Sequence, residues 1–378
     1  MVEVTEINEL SELQSLQPVW QRLLRETPRY SFFQTLEWLQ TSWNHYPLPQ
    51  KLRVMLIERD GRPLGIVPFC VRAERRKYGL LRILTYPLDD WGTFFGPLGA
   101  QPELAFSAAI DHVARTRRDW DLIDLRYVDQ AAPEFMAVGE SMRRSGLAPM
   151  VRPRMEVRML HLAGSWDEYI ATRSRNWREK LRRDVRRLEK FGGEIRLLRY
   201  RPAPGAGTRA EHEENYRLCE EIAKKSWQAD ADSQSTLCSP RVRDLLYQVH
   251  LEAAALGMLD SNLLLVGGRP LAFSYNYVAE GRLYFLRSGF DQSAGLDNCG
   301  SVLLNMMLED SFKRGDVEHC FGPGRQPYKD RYATEMRYAY TFRHYARRSL
   351  RSQLLNLREC AASRFFSEEA IIEKGLVS

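Results

Sequence analysis

The chain has 378 residues, of which 44% are hydrophobic, 28% charged and 11% aromatic, a composition typical of a globular protein with two or three domains. Collagen-like, wholly disordered and disulfide-scaffold proteins are excluded, and no apolar run approaches the roughly 20 residues of a membrane-spanning helix. The formal net charge is +6, and the segment 173–190 alone carries an excess of six positive charges. The rest of the chain is therefore neutral in sum.

Cysteine and histidine positions exclude the common metal motifs. The six cysteines are scattered without CxxC spacing, which predicts reduced thiols and no structural zinc site. The seven histidines show no metal-ligand spacing, so we expect no bound metal. The first residues are acidic and lack the basic and apolar regions of a signal peptide. Together these features predict a cytoplasmic protein.

The first half of the chain reads as helices followed by extended segments. A predicted hairpin joins two strands through a turn that contains Gly61 and Pro63. A helix and a buried strand complete the half. The predicted elements after the opening helices are strands at 52–58 and 64–71, extended pieces at 81–86 and 91–98, a helix at 103–115 and a strand at 120–127.

The second half repeats this order of elements. The turn sequence Gly-Arg-Pro-Leu at 61–64 recurs at 268–271. Its predicted elements are helices at about 210–227 and 241–256, strands at 262–266, 271–278 and 282–288, a helix at 301–314 and a strand at 317–321. The repeat predicts a duplicated α/β unit with a boundary near 146–153, where Gly and Pro cluster. We therefore predict domains at 1–152 and 153–345, followed by a tail at 346–378.

One candidate ligand site lies where a strand meets a helix. The run 284–291 leads into a loop of small residues, 297–301, which opens an apolar helix. The first N–H groups of a helix lack internal partners, so Asn298, Gly300 and Ser301 suit an anion such as a pyrophosphate, and Arg287 adds a cation. The alternative is a plain capped helix, because the loop has no Walker or Rossmann fingerprint.

A second candidate is the loop that begins Phe321-Gly-Pro-Gly. It follows a predicted buried strand, and open α/β sheets place ligands at such carboxyl ends. Tyr328 is a candidate proton donor, and Arg325 and Lys329 are candidate ligands of phosphate or carboxylate. The alternative is an ordinary turn with solvated charges.

The basic segment 173–190 is predicted to be an amphipathic helix. Trp177, Leu181, Val185 and Leu188 form one apolar stripe, and cations that include Arg182 and Arg183 cover the other faces. That density suits a phosphopantetheine-type cofactor, RNA or an anionic lipid. The alternative is a solvated face balanced in part by the three acidic residues of the segment.

The C-terminal tail is also basic. The segment 343–358 has five arginines and no acidic residue, with Leu350, Leu354 and Leu357 on one predicted helix face. Such a helix can lie on an anionic membrane surface. The alternative is that its leucines dock on the chain's own domain.

The order of these motifs resembles one family. Leu181-Arg182-Arg183, Trp227, the turn at 268–272, Tyr284, Gly300 with its apolar helix, and Phe321-Gly-Pro-Gly with Tyr328-Lys329 together resemble GNAT-superfamily acyltransferases of the CelD-like, FemAB-related group. The resemblance covers most of the chain and is strongest over 173–329. It implies an α/β fold of two tandem GNAT-like domains, each a mixed, largely antiparallel sheet flanked by helices.

The resemblance implies an enzyme that uses acyl-CoA as a co-substrate. The acyl group would pass to an amine or hydroxyl of a lipid, polysaccharide or envelope precursor, with Trp227, Tyr275, Tyr284 and Arg325 as substrate contacts. A cytoplasmic enzyme bound peripherally at the inner membrane face would suit such acceptors. Two alternatives stay open: aminoacyl transfer from charged tRNA, as in the Fem branch, and a degenerate GNAT scaffold. DNA is not an expected partner.

Two departures from the family pattern concern the chemistry. Cys320 stands where many members have an aspartate, so the resemblance leaves Asp291 or His319 as candidate base and Tyr328 as candidate acid. The GNAT pyrophosphate signature is also absent before Ser301. All of these candidates follow residue 170, so we expect the second domain to carry the chemistry.

Overall fold

The computed structural model describes residues 1–46, 49–88, 90–229, 236–296 and 298–365, with side chains through residue 361. The chain divides into two compact units. The first consists of 1–157, 323–325 and 336–378, and the second of 158–322 and 326–335. Residues 336–345, which the predicted boundaries assign to the C-terminal domain, lie in the first unit. The domain boundaries themselves stay a prediction, as does the placement of the tail, whose residues 366–378 lie outside the described part.

The described residues form both strands and helices in each half of the chain. Up to residue 161 they are β1 (Val2–Ile7), α1 (Leu10–Ser15), α2 (Gln17–Glu26), α3 (Leu36–His45), β2 (Gln50–Arg59), β3 (Arg62–Arg76), β4 (Gly79–Thr85), α4 (Pro102–Arg115), β5 (Leu122–Asp129), α5 (Phe135–Arg144) and β6 (Met150–His161). They continue with α6 (Trp166–Ala171), α7 (Arg175–Gly192), β7 (Ile195–Tyr200), α8 (Arg209–Ala223), α9 (Arg243–Ala255), β8 (Leu259–Val266), β9 (Arg269–Ala279), β10 (Arg282–Phe290), α10 (Cys299–Arg314), β11 (Glu318–Pro323), α11 (Pro327–Tyr332), β12 (Glu335–Tyr345) and α12 (Leu350–Phe365).

The sheet of the first unit has the strand order β1-β2-β3-β4-β5-β12. Its neighbours are antiparallel except β4 and β5, which are parallel. Helix α2 begins with Pro18 in its first turn and turns one apolar face inward, so that Trp20 and Leu23 are buried in a cluster with Val54 and Ile66. This face anchors the N-terminal helices on β2 and β3.

The segment after β4 fills the space beside β5 in the first unit. Strands β4 and β5 pair at only two positions, and the Phe95 N–H donates to the Tyr127 carbonyl of β5 at 2.9 Å. Tyr86, Leu88, Trp91 and Phe95 are all buried. The predicted extended piece 91–98 is therefore wrong as a strand, because its aromatic residues serve as core and only an isolated bridge forms at Leu98.

The second unit contains the strand order β11-β10-β9-β8-β7. Strands β7 to β10 are antiparallel neighbours, and β10 and β11 are parallel. Helix α10 packs its Val302 and Leu303 against Leu264 and Leu271 of the sheet. The order β8-β9-β10-α10-β11 repeats the order β2-β3-β4-α4-β5 of the first unit, as the repeated turn sequence predicts.

Strands β10 and β11 separate after a short pairing. The parallel register joins 282–284 to 318–320 and ends at Tyr284 and Cys320. On its other edge β10 shifts register against β9 between Phe285 and Arg287, which leaves Leu286 as an extra residue. Such bulges bend a strand and commonly border active sites. The bend and the lost pairing open a gap between β10 and β11.

A buried ion network ties β7 to β8. The Asp260 carboxylate is fully buried and accepts hydrogen bonds from Arg199 at 2.7 Å and Arg201 at 2.9 Å. Asp316 accepts from Arg201 at 2.7 Å, and Asp310 from Arg199 at 2.8 Å. Burial alone would raise the pKa of Asp260, but the two guanidinium groups outweigh it and hold that pKa below its usual range.

Helix α12 docks through one face and leaves another exposed. Leu355 packs in a cluster with Leu81 and Tyr345, and Glu359 accepts hydrogen bonds from Tyr345 at 2.6 Å. Leu350 and Leu357 are 75% and 66% exposed. The predicted basic helix is wrong at its start, because residues 343–345 end strand β12. Within the described residues, no helix combines the length and apolarity needed to cross a membrane.

Candidate functional site

The gap between β10 and β11 forms an apolar cavity of about 280 Å³ within the second unit. It is lined from both strands, by Phe285 and Phe290 on one side and Phe321 on the other. The remaining apolar lining comes from α7, α10, α11, β9 and the segment after α8: Trp177, Leu181, Trp227, Phe273, Leu303, Leu304 and Tyr332. Walls of this kind suit an apolar chain or a pantetheine arm.

A small set of polar groups enters the same cavity. They are Lys180, Ser274, Ser288, Gly300, Ser301, Tyr328 and Arg331. Gly300 and Ser301 belong to the first turn of α10, where backbone N–H groups point away from the helix and its dipole favours an anion. Among the residues that the structure describes, no carboxylate or imidazole lines this cavity.

Helix α7 runs along the cavity and is fixed at its start and near its middle. Ser174 caps its start by accepting a hydrogen bond from the Trp177 N–H at 3.3 Å. Further along, the buried Asp184 accepts from Lys180 at 2.5 Å and from Asn298 at 2.9 Å. Because Asn298 immediately precedes α10, the basic helix is held beside the start of that helix.

A second, cationic cavity of about 580 Å³ adjoins the first. The two cavities share Trp177, Lys180 and Arg331. The second is otherwise lined by the start of α7, including Arg173 and Arg183, and by polar residues of the same stretch and of α11: Thr172, Ser174, Asn176 and Asp330. One end of the site is therefore cationic and the middle is apolar.

The structure brings five of the predicted site residues to these cavities. Tyr328, Gly300, Ser301 and Trp227 line the apolar cavity, and Arg183 lines the cationic one. The Trp227 indole N–H donates to the Ser288 carbonyl at 3.2 Å, which holds the ring at the rim of the cavity. Burial raises the pKa of Tyr328 to about 12, so its phenol keeps its proton at neutral pH.

The two predicted bases lie outside both cavities. Asp291 is buried, accepts hydrogen bonds from Ser293 and Arg269 at 3.0 Å, and caps a short 3₁₀ turn. Burial opposes its ionisation, but these hydrogen bonds outweigh it and lower the pKa of Asp291. His319 is fully buried beside Phe321, and burial lowers the pKa of its imidazole to about 3. Neither side chain is placed to take a proton from a substrate in the cavity.

The predicted cofactor ligands other than Gly300, Ser301 and Arg183 also face elsewhere. Lys329 is buried and donates to the Gly322 carbonyl at 3.2 Å, and burial lowers the pKa of its ammonium to about 8. Arg287 donates to the Leu286 carbonyl at 2.6 Å, and burial lowers the pKa of its guanidinium to about 10. Asn298 is engaged by Asp184, and Arg182 is exposed on α7. Asp297, in the same predicted loop, lies outside the described residues.

Three predicted substrate contacts likewise have structural roles. Tyr275 is buried, and its hydroxyl bonds to His250 at 2.9 Å. Tyr284 is buried at the last pairing position of β10 with β11. Arg325 pairs with the buried Glu156, with its Nε donating at 2.8 Å.

Several residues of the site were missed from the sequence. Lys180 was not singled out from the other cations of the basic segment. Its i, i+4 spacing to Asp184 could have predicted the ion pair that the two residues form. Ser274 and Phe285 lie inside strands β9 and β10, and nothing in the sequence of these strands indicates that one of their faces borders a cavity. Arg331 follows Tyr328 and Lys329 by one short helical turn and could have been grouped with them.

Comparison with known proteins agrees with this geometry. Residues 175–330 match the family model described as an acetyltransferase (GNAT) domain. No curated protein sequence matches the chain.

Three solved structures share the fold. FemX has a TM-score of 0.56 at 12% identity, over 94% of this chain and 99% of FemX. The C-terminal domain of a putative lysylphosphatidylglycerol synthetase from Agrobacterium fabrum has a TM-score of 0.56 at 10% identity, over 94% of this chain and 98% of that domain. L-PGS from Bacillus licheniformis has a TM-score of 0.52 at 14% identity, over 90% of this chain and 95% of that one. The match of residues 175–330 confirms the resemblance to GNAT acyltransferases over that part of the chain, and the shared folds confirm the predicted fold class.

Proposed function

We propose, from the match of residues 175–330 to the GNAT acetyltransferase domain, that the second unit transfers an acyl group from acyl-CoA to an amine. The proposal rests on one observation above others. The apolar cavity lies between two parallel strands that have separated, and the first turn of α10 lines the same cavity. A thioester arm can occupy the gap while phosphates meet the N–H groups of α10.

The proposed transfer is direct. The amine nitrogen attacks the thioester carbonyl carbon, a C–N bond forms and the C–S bond breaks. The attacking nitrogen loses one proton to solvent, and Tyr328 donates one proton to the leaving sulfur and regains it from solvent. The products are an amide and free CoA. Water as proton acceptor suits a cavity to which neither Asp291 nor His319 contributes.

The bulge in β10 is the proposed oxyanion site. At Leu286 the strand has an extra residue against β9, and its pairing with β11 has already ended at Tyr284. Backbone N–H groups released from pairing at this point are candidate donors to the oxyanion that forms in the transition state.

The acceptor is proposed to be an amine, or a hydroxyl, of a lipid, polysaccharide or envelope precursor. Helix α12 supports an acceptor at a membrane surface, because its exposed Leu350, Leu354 and Leu357 lie among the arginines of the same helix and the residues before it. Reversible binding to an anionic bilayer would place the enzyme next to such acceptors.

The second candidate donor is aminoacyl-tRNA. Four arginines of α7, at 182, 183, 186 and 187, are exposed and have no ion-pair partner among the described residues. A cationic helix surface of this kind attracts nucleic-acid phosphates. Native mass spectrometry of the full chain with a panel of acyl-CoAs and with bulk tRNA separates the two donors.

Ser301→Asp tests the position of the donor phosphates. An aspartate in the first turn of α10 is compatible with the helix dipole, so folding should be preserved, but its charge repels a pyrophosphate. We expect Ser301→Asp to weaken acyl-CoA binding in calorimetry by about 10-fold or more, whereas the neutral Ser301→Asn binds within about twofold of the parent chain. Equal binding by the two variants would move the donor phosphates away from α10.

A further inference from the structure

The cationic cavity at the start of α7 has no role in the proposed transfer of an acyl group. Its cations are Arg173, Lys180, Arg183 and Arg331, and Asp330 is its one acidic lining residue among those described. Asp330 is engaged by Arg158, and Lys180 by Asp184. The cavity therefore has a positive excess that its own acidic residue does not balance.

Three of these cations, Arg173, Arg183 and Arg331, form no ion pair within the described part of the chain. Arg183 and Arg331 are exposed. Arg173 is held over the Tyr169 ring at 4.6 Å, and its buried Nε has no hydrogen-bond partner in the described structure. Guanidinium groups without ionic partners around one cavity are an arrangement that an anion completes.

Helix α7 connects the two cavities. The cationic cavity extends from Thr172, just before this helix, to Arg183 within it, the shared wall is at Trp177, Lys180 and Arg331, and Asp184 contacts Asn298 at the start of α10. Two places suited to anions therefore border the apolar cavity. One is the cationic cavity, and the other is the first turn of α10.

We propose that the acceptor amine itself carries an anionic group, a phosphate or carboxylate, and that the cationic cavity binds it. The inference rests on the proposed function, because it takes the α10 end of the cavity as the place of the donor phosphates. The anion fixes the acceptor at Arg183 and Arg331, and the amine then extends past Trp177 into the apolar cavity toward the thioester. A neutral amine lacks this anchor. The preferred substrate class is therefore an amine with an anionic group.

Direct binding tests the inference without relying on turnover. Calorimetry of the full chain is carried out with phosphoethanolamine, with β-alanine as a carboxylate and with neutral ethanolamine. Vesicles that contain phosphatidylethanolamine form a separate arm, which distinguishes a lipid phosphate from a soluble one. We expect the anionic amines to bind at least 10-fold more tightly than ethanolamine. Equal binding of all the amines would overturn the inference.

Variants assign the binding to the cavity. Arg183→Gln with Arg331→Gln should raise the Kd for the preferred anionic amine at least 10-fold. The control, Arg196→Gln, removes an exposed arginine of β7 that lines neither cavity and should change it less than twofold. Equal effects of the control and the double variant would overturn the inference.

Acyl-CoA binding separates this inference from the proposed function. Arg183 lines the cationic cavity and not the apolar one, so we expect the single variant Arg183→Gln to bind acyl-CoA as the parent chain does. Loss of acyl-CoA binding in Arg183→Gln would assign the cavity to the donor phosphates and overturn the acceptor role. A parent chain that binds anionic amines in the cavity but no acyl-CoA would refute the proposed donor while supporting the anion site.

Discussion

Gly300→Ala is expected to separate the stability of the protein from its binding of the donor. Gly300 is the second residue of α10, and a Cβ added there would meet only a ring carbon of Phe290, at 3.8 Å, which is an ordinary contact. Alanine favours a helix over glycine by about 1 kcal/mol in its interior and by less in the first turn. The free energy of unfolding should therefore be unchanged or rise by up to about 1 kcal/mol.

The same methyl group should weaken donor binding. Gly300 lines the apolar cavity, where the proposed donor approaches the backbone of α10. Extra atoms in a packed contact cost about 1–3 kcal/mol. Since about 1.4 kcal/mol corresponds to a factor of ten, KM for acyl-CoA should rise roughly 5- to 150-fold. A change confined to donor binding leaves kcat nearly constant.

The assay combines urea unfolding with steady-state kinetics. Gly139→Ala is the matched control, because Gly139 lies within α5 of the first unit, where an added Cβ would meet Phe342 at 3.4 Å. The control should leave KM within about twofold of the parent value. An unchanged KM in Gly300→Ala would refute the placement of the donor at α10. A large loss of unfolding free energy would contradict the space found for a Cβ at this position.

Three further outcomes are expected. Tyr328→Phe should lower kcat about 100-fold with little change in KM, measured by steady-state kinetics, because the ring stays but the proton donor is lost; an unchanged kcat would exclude Tyr328 as the acid. Asp260→Asn should lower the free energy of unfolding, measured in urea at pH 7, by about 3 kcal/mol, because two buried guanidinium groups lose a charged partner. The control Asp310→Asn should lower it clearly less, because the Asp310 side chain is 31% exposed. Since the pKa of Asp260 is lowered in the fold, the loss of unfolding free energy in Asp260→Asn relative to the parent should be complete above about pH 4 and shrink as the pH falls further. A loss that grows in acid would contradict the assigned charge. Replacing Leu350 and Leu354 by Ser should reduce flotation with anionic vesicles without lowering Tm, whereas parent protein that fails to float even at low salt would exclude the membrane role.

The hairpins and the repeat were predictable because their signals are local. Apolar segments on either side of a Gly-Arg-Pro turn predict both β2–β3 and β8–β9, and the structure extends these strands by only a few residues. The basic helix was equally predictable, because its apolar stripe from Trp177 to Leu188 has helical spacing over about three turns.

The site was less predictable because it depends on which strands separate. Asp291 directly follows β10 and His319 lies in β11, so the sequence places both beside the cavity. Asp291 is instead held by a hydrogen bond from Arg269, and His319 is completely buried, so neither side chain lines the cavity. The cavity lining is drawn from residues as distant as Trp177 and Tyr332. These residues line one cavity because β10 and β11 stop pairing after Tyr284, and no local sequence pattern predicts where that pairing ends.

The second unit has a cavity between β10 and β11, whereas buried aromatic residues fill the corresponding space beside β5 in the first unit. Reopening a ligand space beside β5 would require truncating buried side chains such as Trp91 and Phe95. Each such truncation costs about 3–5 kcal/mol, and the whole stability of a typical domain is about 5–15 kcal/mol. Successive steps toward an open gap would therefore unfold the unit before any ligand could compensate. If the two halves arose by the predicted duplication, we expect the first copy to be retained for its packing and selection for chemistry to act on the second.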